Sequence, residues 1–432
     1  MSHLNNPWQG FSKLTQKQRY ERLLAEGILT EEDIAYLQEG GVVDMNLANR
    51  LIENSIGYFQ LPLGVATHFQ IDGKAYLIPL AVEETSIIAA LSKNAKWIKE
   101  KGTIRTRIEG DCILGQIQIA KIHNLERLQT AIDTHAPFLI EQANEVVAAS
   151  MVKRGGGVRT MSLRVLDRPN QDGQMGVIHV LMNSCDAMGA NILNQVLEFL
   201  KAPIENLTGE TVTMCILSNL NDTKLTKAEV ILRDVDPELG HRLQEASLFA
   251  EVDPYRAATH NKGVMNGIDG VLIATGNDWR AVEAGVHAYA SRNGRYQAIT
   301  QWRYDENTQQ LTGRFEAPLI VGTVGGVTAA HPTARLALSM LKVASANELS
   351  CVAAAVGLVQ NLGAIRALCT EGIIQGHMKL HIDNLLMIAG ATEDEIPKLK
   401  SALENILMED KRVSLHHAQQ LLASIRQQVD LV

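Results

Sequence analysis

The chain has 432 residues, 46% of them hydrophobic, which is long for one compact core and points to two or three domains. Its charged fraction is 20% and its formal net charge −8, an acidic balance that excludes nonspecific nucleic-acid binding yet leaves room for a local basic pocket that takes a small polyanion. Cys112, Cys185, Cys215, Cys351 and Cys369 lie without CxxC spacing among mostly apolar neighbours, so free thiols, a reducing compartment and no metal site are expected.

The first twenty or so residues lack the apolar core of a signal peptide, and no run reaches roughly 18 uncharged apolar residues, so a cytoplasmic protein with no membrane span is expected. Thr15-x-x-Gln18 is a capping box for a helix whose apolar face is Tyr20, Leu23 and Leu24 and which ends near Gly27. Thr30 opens a second helix before Gly40-Gly41. Asp72-Gly73, between HFQI and KAYLI, predicts a hairpin with a type I′ turn. Cys112 to Ile119 alternates like a strand, and 124–150 reads as a helix broken near Pro137. MSLRVL (161–166) and VIHVLM (177–182) are strands around a turn at Asn170 to Gly173. Residues 188–202 are helical and TVTMCILS (211–218) is a strand. The order β-α-β-β-α-β is the ferredoxin-like split pattern, and no GxGxxG follows a strand, so a dinucleotide bound here is not held by a Rossmann unit. Val321 to Gly363 is rich in small residues, predicting closely packed helices. After Gly376 a helical appendage of some 55 residues is expected, capped at Thr392-x-x-Glu395 and Ser414, with Leu415, Ala418, Leu421, Leu422 and Ile425 on one face. Such an appendage either closes over a site or is a docked tail.

Four polar constellations stand out. Glu83-Glu84 precedes Thr85-Ser86 and an apolar helix; acids at a helix N-terminus are also favoured by the macrodipole alone. PYRAATHNKGVMNGIDGVLIATGNDWRAVEAG (254–285) gathers Arg256, His260, Lys262, Asn266 and Asp278 around glycines. Asp278 is a helix cap on the simplest reading, and a tuned partner of the lysine on the other. CDAMGAN (185–191) opens a helix whose N–H groups suit a phosphate, and KRGGGVR (153–159) is either a basic turn or a loop for a polyanion. His377 of EGIIQGHMKLH directly precedes the appendage; a lone loop histidine is more often a surface residue than a catalyst.

Together, ENSIG…LPLGVA, EETS, KRGGG, DAMGAN, LSNL, HNKGVMNG, ATGNDWRAVEAG, GTVGG, GLVQNLGAIRAL and EGIIQGHM resemble, in order, the class II 3-hydroxy-3-methylglutaryl-coenzyme A (HMG-CoA) reductases from about residue 50 to 385. The resemblance implies an α+β protein. A large mixed α/β substrate-binding domain (1–111 and 221–376) is interrupted by a small ferredoxin-like, non-Rossmann NAD(P)-binding domain (112–220) and followed by a C-terminal helical flap (377–432). It further implies a homodimer or higher homo-oligomer with interfacial active sites, and a four-electron interconversion of HMG-CoA with mevalonate and coenzyme A. Two NAD(P)H are used, by way of mevaldyl-CoA and mevaldehyde, and the cofactor supplies the hydrides.

By the same resemblance, Lys262 stabilises the carbonyl oxyanion, His377 protonates the leaving thiolate, and Glu84 supplies a proton in the aldehyde step. Asp278 links lysine and glutamate into one hydrogen-bonded network. Arg256 pairs with the free carboxylate of the HMG moiety. Ser86, Asn219, Asn266 and Gln360 are polar contacts, and Asp186, Met188, Gly189 and Asn191 line the nicotinamide cofactor. The family's GGGxRD reads Gly155-Gly156-Gly157-Val158-Arg159-Thr160, so its acid is missing. The upstream acid of NADH-preferring members falls on Ala148. Lys153 and Arg154 are set to meet a 2′-phosphate instead, so NADPH is expected over NADH unless Glu145 takes the acid's place. Two other readings are a catalytically silent CoA-thioester-binding protein, disfavoured by the presence of Glu84, Lys262, Asp278 and His377 together, and an acyl-CoA lyase or transferase. The latter needs a nucleophile beside a base or a metal cluster, and neither is evident.

Overall fold

A computed structural model describes residues 7–370, 382–410 and 412–429. The N-terminal stretch forms α1 (Gln16–Ala25), α2 (Glu31–Gln38) and α3 (Met45–Leu51). The Thr15 capping box is made: Gln18 N donates to Thr15 Oγ1 at 3.3 Å and Thr15 N to Gln18 Oε1 at 2.9 Å. Asp72-Gly73 joins β1 (Leu63–Ile71) to β2 (Lys74–Ala81), and both turn residues take the positive φ (51° and 85°) that a type I′ turn requires. Then follow α4 (Ile87–Lys101) and β3 (Gly102–Glu109).

The chain next builds a separate layer from β4 (Ile113–Ile119), α5 (Leu125–Val146), α6 (Ala149–Val152), β5 (Gly157–Asp167), β6 (Gln174–Asn183), α7 (Ala190–Thr208) and β7 (Met214–Leu217). These strands form a four-stranded sheet in the order β5-β6-β4-β7 with antiparallel pairs, the arrangement a split βαββαβ unit gives. Two expectations are corrected here. α5 is not broken at Pro137, and α7 runs through Pro203 to Thr208. A proline inside a helix costs about 3 kcal/mol. α5 offsets this by burying Leu128, Ile132, Leu139 and Ala143, and α7 by burying Leu193, Val196, Leu197, Leu200 and Ile204.

The chain returns through β8 (Leu225–Leu232), α8 (Pro237–Val252), α9 (Pro254–Ala274), α10 (Trp279–Ala290), β9 (Thr300–Asp305), β10 (Gln310–Ala317), α11 (Gly326–Ala330), α12 (Pro332–Leu341) and α13 (Ala346–Cys369). A six-stranded sheet orders β2-β1-β3-β8-β10-β9, with β1 and β3 parallel and the other pairs antiparallel. Helices α4, α9 and α13 pack together, and small residues set their spacing. A Cβ on Gly357 of α13 would lie 2.8 Å from Ile268 on α9, and one on Gly363 would lie 2.9 Å from Asn94 on α4. α13 is the one helix among the described residues long and apolar enough to cross a membrane by length and composition alone. It is the buried core helix here, from Ala353 to Leu362 without a gap in burial.

The last described segments are α14 (382–388), α15 (Ile396–Asp410) and α16 (Leu415–Val429). They share a small core of Ile382, Leu385, Leu399, Leu403, Ala418 and Leu422. Arg426 ties it together by bonding Glu395 and the Gly390 carbonyl.

Candidate active site

The EETS turn and α9 meet at one ion pair. β2 stops at Ala81, and the chain turns into α4 through Ser86, which takes a left-handed φ of 71° and donates its hydroxyl to Thr85 O. A non-glycine residue in that region stores strain, which clusters at functional sites. Just before it, Glu84 Oε2 accepts from Lys262 Nζ at 3.0 Å. The two side chains are 39% and 62% exposed, so the pair adds little to stability, about 0–1 kcal/mol. Its meaning is placement: an ammonium and a carboxylate held in contact beside a cleft of about 1390 Å³ lined by Glu83, Glu84, Thr85 and Ser86.

The rotation of α9 is set from behind. Asp253 caps it by accepting from Tyr255 and Arg256 N, and Pro254 starts the first turn. His260 and Asn261 are buried. His260 Nε2 meets Thr300 Oγ1 at 2.5 Å and Asn361 Nδ2 at 3.1 Å, while Asn261 Oδ1 accepts from Ile299 N at 3.0 Å. Trp302 Nε1 joins the network by donating to Asn361 Oδ1 at 2.8 Å. Burial, and secondarily the nearby Arg256 charge, push His260 down to about 3, so its imidazole is neutral and structural. With residues 260 and 261 turned inward, the 100° step of the helix turns Lys262 out.

The remaining substrate-side candidates are spread around this pair. Arg256, in the first turn of α9, is half-buried, and burial pushes its guanidinium below its ordinary value. Asn266 lies one turn beyond Lys262 on the same stripe. Gln360 is buried where α13 crosses α9 at Gly267, and its Oε1 has no hydrogen-bond partner among the described residues. Asn219 lies against α10, where a Cβ on Gly285 would sit 2.4 Å from its carbonyl oxygen. Asp278 caps α10, its Oδ1 accepting from Ala281 N at 3.1 Å and lying 3.6 Å from Arg280 Nε. No bond joins Asp278 to Glu84 or Lys262 among the described residues. His377 lies outside the described residues.

The cofactor candidates converge elsewhere. KRGGG packs against the residues that lead into DAMGAN: a Cβ on Gly156 would lie 2.5 Å from Asn183 O and 2.6 Å from Cys185 Sγ, so only glycine permits the approach. Gly189 caps α7 with φ 94°. Met188 N lies against Gly322, and Asn191 is exposed in the first turn of α7. Asp186 is turned to the six-stranded body, where its Oδ1 accepts from Ala346 N at 2.9 Å and its carbonyl from Thr323 N at 2.9 Å. Lys153 is exposed, and Arg154 lies over Met151 Sδ at 3.0 Å. Ala148 is fully buried and Glu145 exposed on the last turn of α5. A small cavity lined by Met188, Leu193, Asn219, Ala281 and Val282 brings DAMGAN, LSNL and α10 to one place.

Sequence reasoning passed over Asp269, two turns from Lys262 on the same stripe of α9. Its carboxyl, mostly out of water and hydrogen-bonded to Glu283 of α10, is raised to about 8 by burial and then by Glu283; one oxygen is buried without a partner. No motif marks the pair, because the two acids meet only when α9 and α10 fold back on each other. The folded value lies above the unfolded one, so the contribution is fully present below about pH 4 and lost as pH rises through about 8. Asp269→Asn is therefore expected to flatten the fall in melting temperature between pH 6 and 9; an unchanged slope sinks the assignment.

A family model described as hydroxymethylglutaryl-coenzyme A reductase matches residues 16–382. The 3-hydroxy-3-methylglutaryl-coenzyme A reductase of Archaeoglobus fulgidus is 41% identical over 421 residues, 96% of this chain and 94% of that protein. A probable reductase of the same name from Borreliella burgdorferi is 33% identical, covering 85% of this chain and 84% of that one. A solved reductase from Streptococcus pneumoniae superposes with a TM-score of 0.81 at 37% identity, over 97% of this chain and 99% of that one. A second structure of the Streptococcus pneumoniae class II enzyme, bound to NADPH in open conformations, gives 0.80 at 37% identity over 84% of this chain and 100% of that one.

Proposed function

Because the chain belongs to the hydroxymethylglutaryl-coenzyme A reductase family, we propose that it interconverts HMG-CoA with mevalonate and coenzyme A, using two NADPH or NADH. The observation that carries the reading is the Lys262–Glu84 contact at 3.0 Å beside the large cleft. Hydride addition to a thioester or aldehyde carbonyl puts negative charge on oxygen, and an ammonium beside it stabilises that charge. The neighbouring carboxyl moves a proton to the same oxygen in the aldehyde step. Asp278 and His377 complete the catalytic set. Arg256 holds the HMG carboxylate, and Ser86, Asn219, Asn266 and Gln360 make polar contacts around it. The loops with Asp186, Met188, Gly189, Asn191, Lys153 and Arg154 take the cofactor.

The nicotinamide cofactor fits the chain's own features: KRGGG packs closely on the residues leading into DAMGAN, where only glycine fits, and Lys153 is an exposed cation on the same loop. Buried Ala148 offers no acid to a ribose hydroxyl, which favours NADPH, while exposed Glu145 is the residue that would favour NADH. Domain boundaries at 111/112, 220/221 and 376/377 are part of this reading; the hydrophobic cluster of the four-stranded layer and the small core of the C-terminal helices support a division into these parts, and the last boundary lies outside the described residues. The protein acts in the cytoplasm as a homodimer. Val43, Ile52, Ile56 and Phe59 are 59–99% exposed along the segment that leads to the EETS cleft, an apolar stretch that a second copy would cover while shielding the Lys262–Glu84 pair from water.

Absorbance at the nicotinamide band tests the activity. Two reduced cofactors consumed per HMG-CoA are expected, faster with NADPH. No consumption by folded, oligomeric protein overturns the reading in favour of a silent thioester-binding protein. His377→Gln is expected to spare reduction of free mevaldehyde, which needs no thiolate protonation, and to slow the thioester reaction about 100-fold or more; equal loss of both removes the role given to His377.

A further inference from the structure

After β10 the chain crosses the seam between the six-stranded body and the four-stranded layer as a strap, 318–323. Its side chains alternate between the two cores as in a strand. Leu319 and Val321 are buried in the core of the six-stranded body, and Ile320 in that of the four-stranded layer. Pro318 and Ile320 also line the small cavity reached by Met188 of the DAMGAN loop and by Ala281 and Val282 of α10. Gly322 then lies directly against that loop: a Cβ there would stand 2.7 Å from Met188 N and 3.3 Å from Asp186 O. Thr323 N donates to the same Asp186 carbonyl at 2.9 Å.

The strap is also tied to Asn277, in the turn between α9 and α10, one residue before Asp278. Gly322 N donates to Asn277 Oδ1 at 2.7 Å, and both residues are buried. The carboxamide has both ends in use. Its Nδ2 donates to Thr275 Oγ1 at 3.0 Å, and Thr275 Oγ1 donates in turn to Val271 O at 2.8 Å. These neighbours fix which way the amide faces, because Thr275 spends its proton on α9 and a backbone N–H can only donate. Asn277 N is held as well, donating to Leu272 O at 2.8 Å. The turn is thus fastened to α9, and the strap to the turn.

We propose that Asn277 is a positioning residue for the cofactor: it fixes Gly322, and Gly322 with Thr323 seats residues 186–188, so that the DAMGAN loop and the Asp278 turn keep one set spacing. This rests on the reading that the loop meets the nicotinamide cofactor. Without the Asn277 oxygen, the Gly322 N–H is left buried with no acceptor, a cost the strap sheds by moving. Met188 and Asp186 move with it, because no side chain stands between them and the strap. Lys262 lies about three turns back along α9, and its contact with Glu84 is kept.

Asn277→Ala is therefore expected to raise the KM for NADPH about tenfold, with the KM for HMG-CoA little changed. Gly322→Ala, whose methyl presses on Met188 N from the strap side, carries the same expectation and is the variant to read if Asn277→Ala does not fold. Both act through one contact, so the double variant is expected to cost no more than the larger single change. An asparagine that only stabilises the fold would lower the melting temperature without separating the two KM values. An unchanged cofactor KM, an equal rise in both KM values, a double variant whose effect is the product of the singles, or failure of both single variants to fold overturns the proposal. If the wild type oxidises no cofactor with HMG-CoA, the functional reading fails by itself, and direct titration of wild type and variants with NADPH still decides the positioning claim; a wild type that binds no NADPH overturns both.

Discussion

Lys262→Ala is expected to abolish both half-reactions, reduction of HMG-CoA to mevaldehyde and of mevaldehyde to mevalonate. Both create negative charge at a carbonyl oxygen, and Lys262 is the cation that the buried His260–Asn361–Thr300 network turns toward Glu84. Removing one aimed donor to an oxyanion costs about 100- to 1000-fold in kcat. Here the loss is larger, because alanine leaves the Glu84 carboxylate alone beside the forming oxyanion and adds repulsion to the missing attraction. Stability should hardly move, since the pair is largely exposed and worth at most about 1 kcal/mol. Single-turnover rates with each substrate, together with a melting curve, check this. Retention of more than a tenth of either rate in a folded variant is incompatible with the role assigned to the lysine.

Glu84→Gln separates the proton from the contact. Glutamine keeps an oxygen that accepts from Lys262 at the 3.0 Å position, so the lysine stays placed. It has no proton to give. A positioned general acid contributes about 100- to 10,000-fold, and loss of mevaldehyde reduction in that range is expected. The first hydride transfer, which leaves a charged hemithioacetal oxygen on Lys262, should suffer less. Assays started from HMG-CoA and from free mevaldehyde read the two steps separately; a variant with equal losses in both would place Glu84 in lysine positioning rather than proton transfer.

Much of this molecule is local, and what is local was legible in the sequence. The Thr15 box, the Asp72-Gly73 turn and the β-α-β-β-α-β order each depend on residues a few positions apart, and each is present. The motif order that resembles class II reductases brought Glu84 and Lys262 together as candidates, and the structure sets them in contact. The misreading at Pro137 was a local rule overruled by packing: α5 is not broken there, and α7, read as far as 202, runs on through Pro203, because each helix is pinned along a buried face. α13 reads as an apolar helix whichever solvent is imagined, and only its neighbours make it a core helix.

The sequence by itself determined which elements form, which family the chain belongs to, and which side chains have the chemistry for hydride-coupled reduction. Only the tertiary structure decided where charges meet across elements. Asp186, read as a cofactor residue, spends its carboxylate on the N-terminus of α13; Asp278 caps α10; Asp269 finds Glu283. Lys224 carries no motif, yet is buried in the segment whose Thr223 and Asn221 bond the chain's inbound crossing. The reason is physical: helix and turn preferences act over a few residues, whereas burial and charge pairing depend on through-space neighbours that can be a hundred residues away in the chain.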